Sequence, residues 1–154
     1  MSFAELFTEE TIVHPLRAGD RDACFRELLD VLVSTERLTG KESARAFEAV
    51  LRREQVGSTG IGNGVAIPHV KLDGVKRLAA VLGVHSTGLD FRAIDGERVQ
   101  IVFLVVRPAD DQGEHLKFLQ WVSRLGRNAD FRRFLISARS PGEVVALLRE
   151  MSEA

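Results

Sequence analysis

The chain has 154 residues and a mass of 17.1 kDa, which leaves room for one sizeable hydrophobic core and not for two. Its 21 Lys and Arg against 22 Asp and Glu give a formal net charge of -1, without the basic excess of a protein built to bind nucleic acid. A single cysteine, Cys24, excludes an internal disulfide framework and a Cys-based zinc finger, and it fits a reducing cytoplasm.

The stretch Met1 to Glu10 carries Glu5, Glu9 and Glu10 and has none of the regions of a signal peptide. A helix is expected to start near Asp20, with Asp20 or Asp22 as its cap and Phe25, Leu28, Leu29, Leu32 and Val33 as its apolar stripe. Thr39 followed by Glu42 has the spacing of a capping box and opens a second helix over Lys41 to Gln55, whose stripe is Ala46, Phe47, Val50 and Leu51. Val56–Gly64 is glycine-rich and reads as a loop, and Val65–Pro68 as a short strand. Stronger strand patterns cover Leu78–Val84 and Val99–Val106, with turn chemistry at Asp95-Gly96 between them. The run Val99–Val106 has almost no polar alternation, as in a strand buried on both faces. It is far shorter than the roughly 20 residues a membrane helix requires, so no membrane insertion and a cytoplasmic location are expected.

The last third reads as helical. Gly113–Arg124 begins a broad apolar face of Leu116, Leu119, Trp121, Val122 and Leu125. Asp130 is placed to cap a short helix containing Phe131, Phe134 and Leu135. Ser140-Pro141-Gly142-Glu143 combines a capping box with Pro at the first helical position and opens a final helix through Val144, Leu147 and Leu148. The order strand, two helices, three strands, three helices predicts one α/β domain over residues 1–154, a mixed sheet sandwiched by α-helices.

Chemistry concentrates in Arg53–Lys71, REQVGSTGIGNGVAIPHVK, with Gly57, Gly60, Gly62, Gly64 and Pro68. A Walker A loop needs Lys directly after its last Gly, and Val65 stands there. The dinucleotide fingerprint needs a strand before the loop and a helix after it. Here the order is reversed, and Val65 also takes the place of its third Gly. No nucleotide or other cofactor is therefore expected. His69 follows Pro68, which fixes its own φ and restricts Ile67, so an imidazole is presented on stiff backbone. A neutral imidazole is a nucleophile near pH 7, and its phosphoryl adduct suits onward transfer. A histidine that merely ends a strand is the structural alternative.

His115 falls in a first helical turn, where the helix dipole favours anions and a neutral ring can donate to a phosphate alongside the helix amides. A first-turn surface residue is the alternative there. His14 and His85 have no evident partners and read as surface or structural residues. No metal-binding spacing such as HExxH links the histidines, and no metal is expected. Arg53 can grip a phosphate bidentately or lie solvated, and Ser58 and Thr59 add hydroxyls or a turn. Arg124, Arg127, Arg132, Arg133 and Arg139 outnumber Asp130, as in a solvated face or one that meets an acidic partner.

The uninterrupted run GSTGIGNGVAIPH, Gly57 to His69, resembles the active-site signature of enzyme IIA domains of the fructose/mannitol class in the bacterial phosphoenolpyruvate-dependent phosphotransferase system. FRAIDGERV (Phe91 to Val99), Arg107-Pro108-Ala109 and EHLKFL around His115 extend the resemblance to about residues 10 to 150. Length and the absence of a fused domain make the chain most similar to the nitrogen-regulatory members. The resemblance implies that His69 is the phosphorylated histidine, that His115 lies beside it and assists, and that Arg53 is near both. It implies an HPr-type phosphocarrier protein as donor, and as acceptor either a IIB domain or, in the nitrogen-regulatory members, control of regulatory target proteins. One departure stands out: many members have Gly after the histidine, and this chain has the β-branched Val70.

Overall fold

A computed structural model describes residues 3–111 and 113–152. Two short 3-10 turns, Phe3–Leu6 and Glu9–Thr11, lead into β1 (Ile12–Val13), α1 (Arg21–Ser34) and α2 (Gly40–Val56). Five strands follow: β2 (Gly60–Gly62), β3 (Val65–Ala66), β4 (His69–Leu72), β5 (Ala79–Leu89) and β6 (Val99–Pro108). The chain then forms α3 (Glu114–Gly126), α4 (Ala129–Ser137) and α5 (Pro141–Ser152). The sheet is mixed, as expected, with the order β1-β5-β6-β3-β2 and β4 also paired to β6. β1 runs parallel to β5, and β3 and β4 run parallel to β6; β5/β6 and β2/β3 are antiparallel.

Local chemistry explains the helix boundaries. Asp20 accepts the Ala23 amide at 2.8 Å and starts α1. Thr39 and Glu42 exchange hydrogen bonds of 2.9 and 3.1 Å and start α2 as a complete capping box. Ser140 Oγ accepts the Glu143 amide at 3.2 Å at the start of α5, while the Glu143 carboxylate takes the Arg139 amide at 2.7 Å. The cap of α4 differs from the expectation. Asn128 accepts the Phe131 amide, and Asp130 instead pairs with Arg133 at 2.8 Å. Two predicted core residues, Leu116 and Phe134, are exposed, because each lies on the outer side of its helix.

β6 is the axis of the core. Val102, Leu104 and Val106 face the α1/α2 layer, and Ile101, Phe103 and Val105 face the layer of α3, α4, α5 and the N-terminal turns. Burial on both faces accounts for the unbroken apolar run. The second layer holds an aromatic group in which Phe7 meets Phe103 edge-on at 5.9 Å and Phe118 lies 5.7 Å from Trp121. Cys24 is buried in the first layer, where burial, followed by Glu27 and Asp20, pushes its thiol up to about 12. His14 and His85 do have partners. His14 Nε2 lies 3.2 Å from Leu135 O. His85 Nε2 lies 2.9 Å from Ala18 O, and its Nδ1 accepts the Gly88 amide. Both are structural. No helix among the described residues is long and apolar enough to cross a membrane.

Phe103 is fully buried between these two layers. Phe103→Ala is expected to cost about 3–5 kcal/mol, read from urea unfolding with an unchanged slope.

Candidate functional site

The site is built where α2 hands over to the sheet. The stretch read as a loop is in part a hairpin, β2 paired to β3, and its entry is held by hydrogen bonds. Arg53 Nη1 donates to Gly57 O at 2.7 Å and closes the C-terminal end of α2. The Glu54 carboxylate is buried and accepts the Thr59 amide at 3.2 and 3.3 Å; it also accepts the Thr59 hydroxyl. Arg21 Nη1 stands 3.9 Å from Glu54 Oε2. Ser58 Oγ donates to Phe91 O at 2.7 Å and accepts the Gly60 amide at 2.9 Å. A Cβ at Gly60 would stand 2.8 Å from the Ala93 Cβ, so only glycine lets β2 lie this close. The hairpin turn takes three successive residues with positive φ: Gly62 (92°), Asn63 (59°) and Gly64 (78°). Asp95 holds the turn by accepting the Asn63 amide at 2.9 Å. That bond and the one from Glu97 N keep its carboxyl below the usual range.

His69 opens β4 rather than closing the strand before it. Val65 pairs with Ile101 and His69 with Val105, so β3 and β4 follow one line along β6. Pro68 interrupts that line because it has no N–H, while its carbonyl accepts the Val105 amide at 2.9 Å. Opposite Val105, His69 faces the α3 layer; Val70 and Leu72 face the α1/α2 core. The departure at Val70 is thereby explained. Its side chain is buried in that core, in a strand that suits a β-branched residue, and points away from the imidazole.

His69 is partly buried, and its Nδ1 lies 2.6 Å from Ile67 O. A carbonyl only accepts, so Nδ1 carries the proton and Nε2 keeps its lone pair. Burial is the main reason the ring holds its proton less tightly than an ordinary imidazole. The Ile67 carbonyl works against this, and the positive fields of Arg53, Arg107 and His115 add to it.

The structure thus brings the expected Arg53 and His115 within electrostatic reach of His69 and adds Arg107 to them. Arg107 lies two residues beyond Val105 on β6, on the same strand face as His69. His115, in the first turn of α3, has Nδ1 3.0 Å from Asp111 Oδ2. The same carboxylate accepts the Glu114 and His115 amides at 2.8 and 2.9 Å. Those amides are therefore already engaged and are not the anion site expected at this helix start. Partial burial opposes ionisation of Asp111, but these bonds and the His115 ring outweigh it and hold the carboxyl below its ordinary value.

Sequence reasoning missed Asp111, Glu54 and the site role of Arg107. Only strand register and burial reveal them, although Asp111 lies four residues before His115, a spacing that reads as a helix start. In the basic stretch, Arg132 is engaged by Gly126 O and Arg133 by Asp130. Among the described residues, no group of three or more His, Cys, Asp or Glu side chains is placed to hold a metal ion.

Residues 5–151 match the family model for the phosphoenolpyruvate-dependent sugar phosphotransferase system, EIIA 2. The chain belongs to that family, whose members are phosphotransferase components. It is similar to the nitrogen regulatory protein of Bradyrhizobium diazoefficiens, with 31% identity over 148 residues covering 96% of this chain and 95% of that one. It is also similar to the fructose-specific EIIA component of Haloferax volcanii, with 32% identity over 133 residues, covering 86% and 85%. The crystal structure of the nitrogen regulatory protein IIA-Ntr from Neisseria meningitidis superposes with a TM-score of 0.85 at 32% identity, covering 94% and 97% of the two chains.

Removing the Glu54 carboxylate strands the Thr59 amide and hydroxyl. Glu54→Ala is expected to lower stability by about 1–3 kcal/mol in urea and to speed amide exchange in the β2–β3 hairpin. Because the proton affinity of His69 is lowered, its ring should stay neutral as pH falls through about 6.5 and become charged only below that. Histidine NMR titration measures this, and Arg107→Gln should move the midpoint upward by removing a cation.

Proposed function

We propose that the chain carries a phosphoryl group on His69 Nε2, received from an HPr-type phosphocarrier protein. The observation that carries this reading is the Nδ1–H bond to Ile67 O, which leaves a neutral Nε2 nucleophile amid Arg53, Arg107 and His115. The Nε2 lone pair attacks phosphorus in line as the P–N bond to the donor ring breaks, and the donor imidazole leaves with that electron pair. Positive charge developing on the His69 ring is met at Nδ1–H by the Ile67 carbonyl. Negative charge on the phosphoryl oxygens is met by Arg53, Arg107 and His115. Transfer of this kind depends on positioning and charge compensation, both of which these residues supply without a metal.

We assign the phosphorylated state first to regulation: a doubly charged group on the surface switches affinity for target proteins in the cytoplasm. Similarity to nitrogen regulatory proteins over nearly the full length of both chains favours this role. The likeness to a fructose-specific component favours the second reading, onward transfer to a IIB domain in sugar transport. Target binding that changes with His69 phosphorylation supports the first, and label passed to IIB supports the second.

Incubation with enzyme I, an HPr-type carrier and labelled phosphoenolpyruvate should give one acid-labile phosphate per chain, absent from His69→Ala. A labelled His69→Ala protein overturns the assignment. His115→Ala should slow transfer by about 100-fold or more, the size of a lost acid or charge-stabilising group, with carrier binding retained.

A further inference from the structure

The Asp111 carboxylate is nearly fully covered, with 4% of its side chain exposed, and among the described residues it pairs with no Lys or Arg. Its Oδ2 binds both the backbone amide and the ring Nδ1 of one residue, His115, at 2.9 and 3.0 Å. Two bonds from one oxygen to the main chain and ring of the same residue fix both where the ring sits and how it is turned. Oδ1 meanwhile accepts the Glu114 amide at 2.8 Å, so the carboxylate is itself anchored to the first turn of α3. With Nδ1 engaged, Nε2 is the other ring nitrogen of His115, and 27% of this side chain is exposed.

We propose that Asp111 is a positioning residue for phosphoryl transfer: it orients His115 and holds its proton on Nδ1, so that Nε2–H of the doubly protonated ring donates to the phosphoryl group on His69. The inference rests on the reading of His69 as the phosphoryl carrier. A neutral His115 with its proton on Nδ1 presents a lone pair at Nε2, which repels phosphoryl oxygens. Donation requires a second proton, taken from solvent as the phosphoryl group arrives. The resulting imidazolium lies between two anions, Asp111 behind it and the phosphoryl group in front. The carboxylate against this ring is Asp111 from the segment before α3, and His69 on β4 lies within electrostatic reach of it, with Arg53 and Arg107 acting on His69 from α2 and β6. The arrangement has the logic of an aspartate that orients a histidine and stabilises its cation without accepting the proton.

Asp111→Asn tests this, because asparagine keeps one oxygen for the Glu114 amide, and caps helices as well as aspartate does, while losing the carboxylate oxygen at His115. The variant should melt close to the parent and transfer about 10- to 100-fold more slowly, the usual loss when a group that orients a working histidine is changed, with the KM for the carrier within about twofold. In 15N spectra of phosphorylated protein at neutral pH, His115 should show both ring nitrogens protonated in the parent and lose one proton in the variant. Adding Asp111→Asn to His115→Ala should cost nothing more, since the aspartate acts through that ring. Parental transfer rates in Asp111→Asn, an unaltered His115 spectrum, or a full additive loss in the double variant each overturn the proposal. Normal transfer in His115→Ala overturns the proposal too, because the aspartate acts through that ring; a labelled His69→Ala instead defeats the carrier reading.

Discussion

The site depends on the break in strand pairing at Ile67-Pro68. β3 and β4 lie on one line beside β6, and an uninterrupted strand would direct the Ile67 carbonyl into an ordinary ladder bond. Pro68 supplies no amide, its own carbonyl accepts the Val105 amide at 2.9 Å, and the Ile67 carbonyl meets Nδ1 of His69 at 2.6 Å. That carbonyl sets the tautomer of the ring. The buried parallel pairing of Val70 and Leu72 then holds the whole segment in register.

The charges around His69 serve both states of the ring. Before transfer, burial and the fields of Arg53 and Arg107 disfavour its protonated form and keep Nε2 nucleophilic. In the proposed phosphoryl-carrying state, the same two positive fields act on a group that carries about two negative charges, by analogy with other phosphorylated side chains. The cations come from the end of α2 and the end of the central strand β6, elements far apart in sequence that converge only once the fold is complete.

How much of this was legible in the sequence follows from how local each signal is. The capping box of α2, the Ser140 cap of α5 and the double-faced burial of β6 could all be read, because each is written in neighbouring residues; His69 stands out as a candidate in one long motif. The β2–β3 hairpin was read as loop because its strands are two and three residues long and rich in glycine, too short for any periodicity. Asn128 displaced Asp130 as the α4 cap because the helix starts two residues earlier than the acidic signal suggested. Val70 was opaque for a further reason: its effect depends on which face of β4 it occupies, and β6 decides that.

Carboxylates near an anion site are a hazard, and this fold disposes of three in the same way. Glu54 directs its charge to Thr59, Asp95 to Asn63 and Glu97, and Asp111 to Glu114 and His115. Each is turned toward backbone amides, which partly neutralise it and in return fix the loop that presents the site. Glu54 shapes the hairpin entry, Asp95 its turn, and Asp111 the start of α3. The negative charge that would repel a phosphoryl group is therefore used as the clamp for the three segments around it. Of the three, Asp111 is the one bonded to the ring of His115, the residue proposed to meet the phosphoryl group.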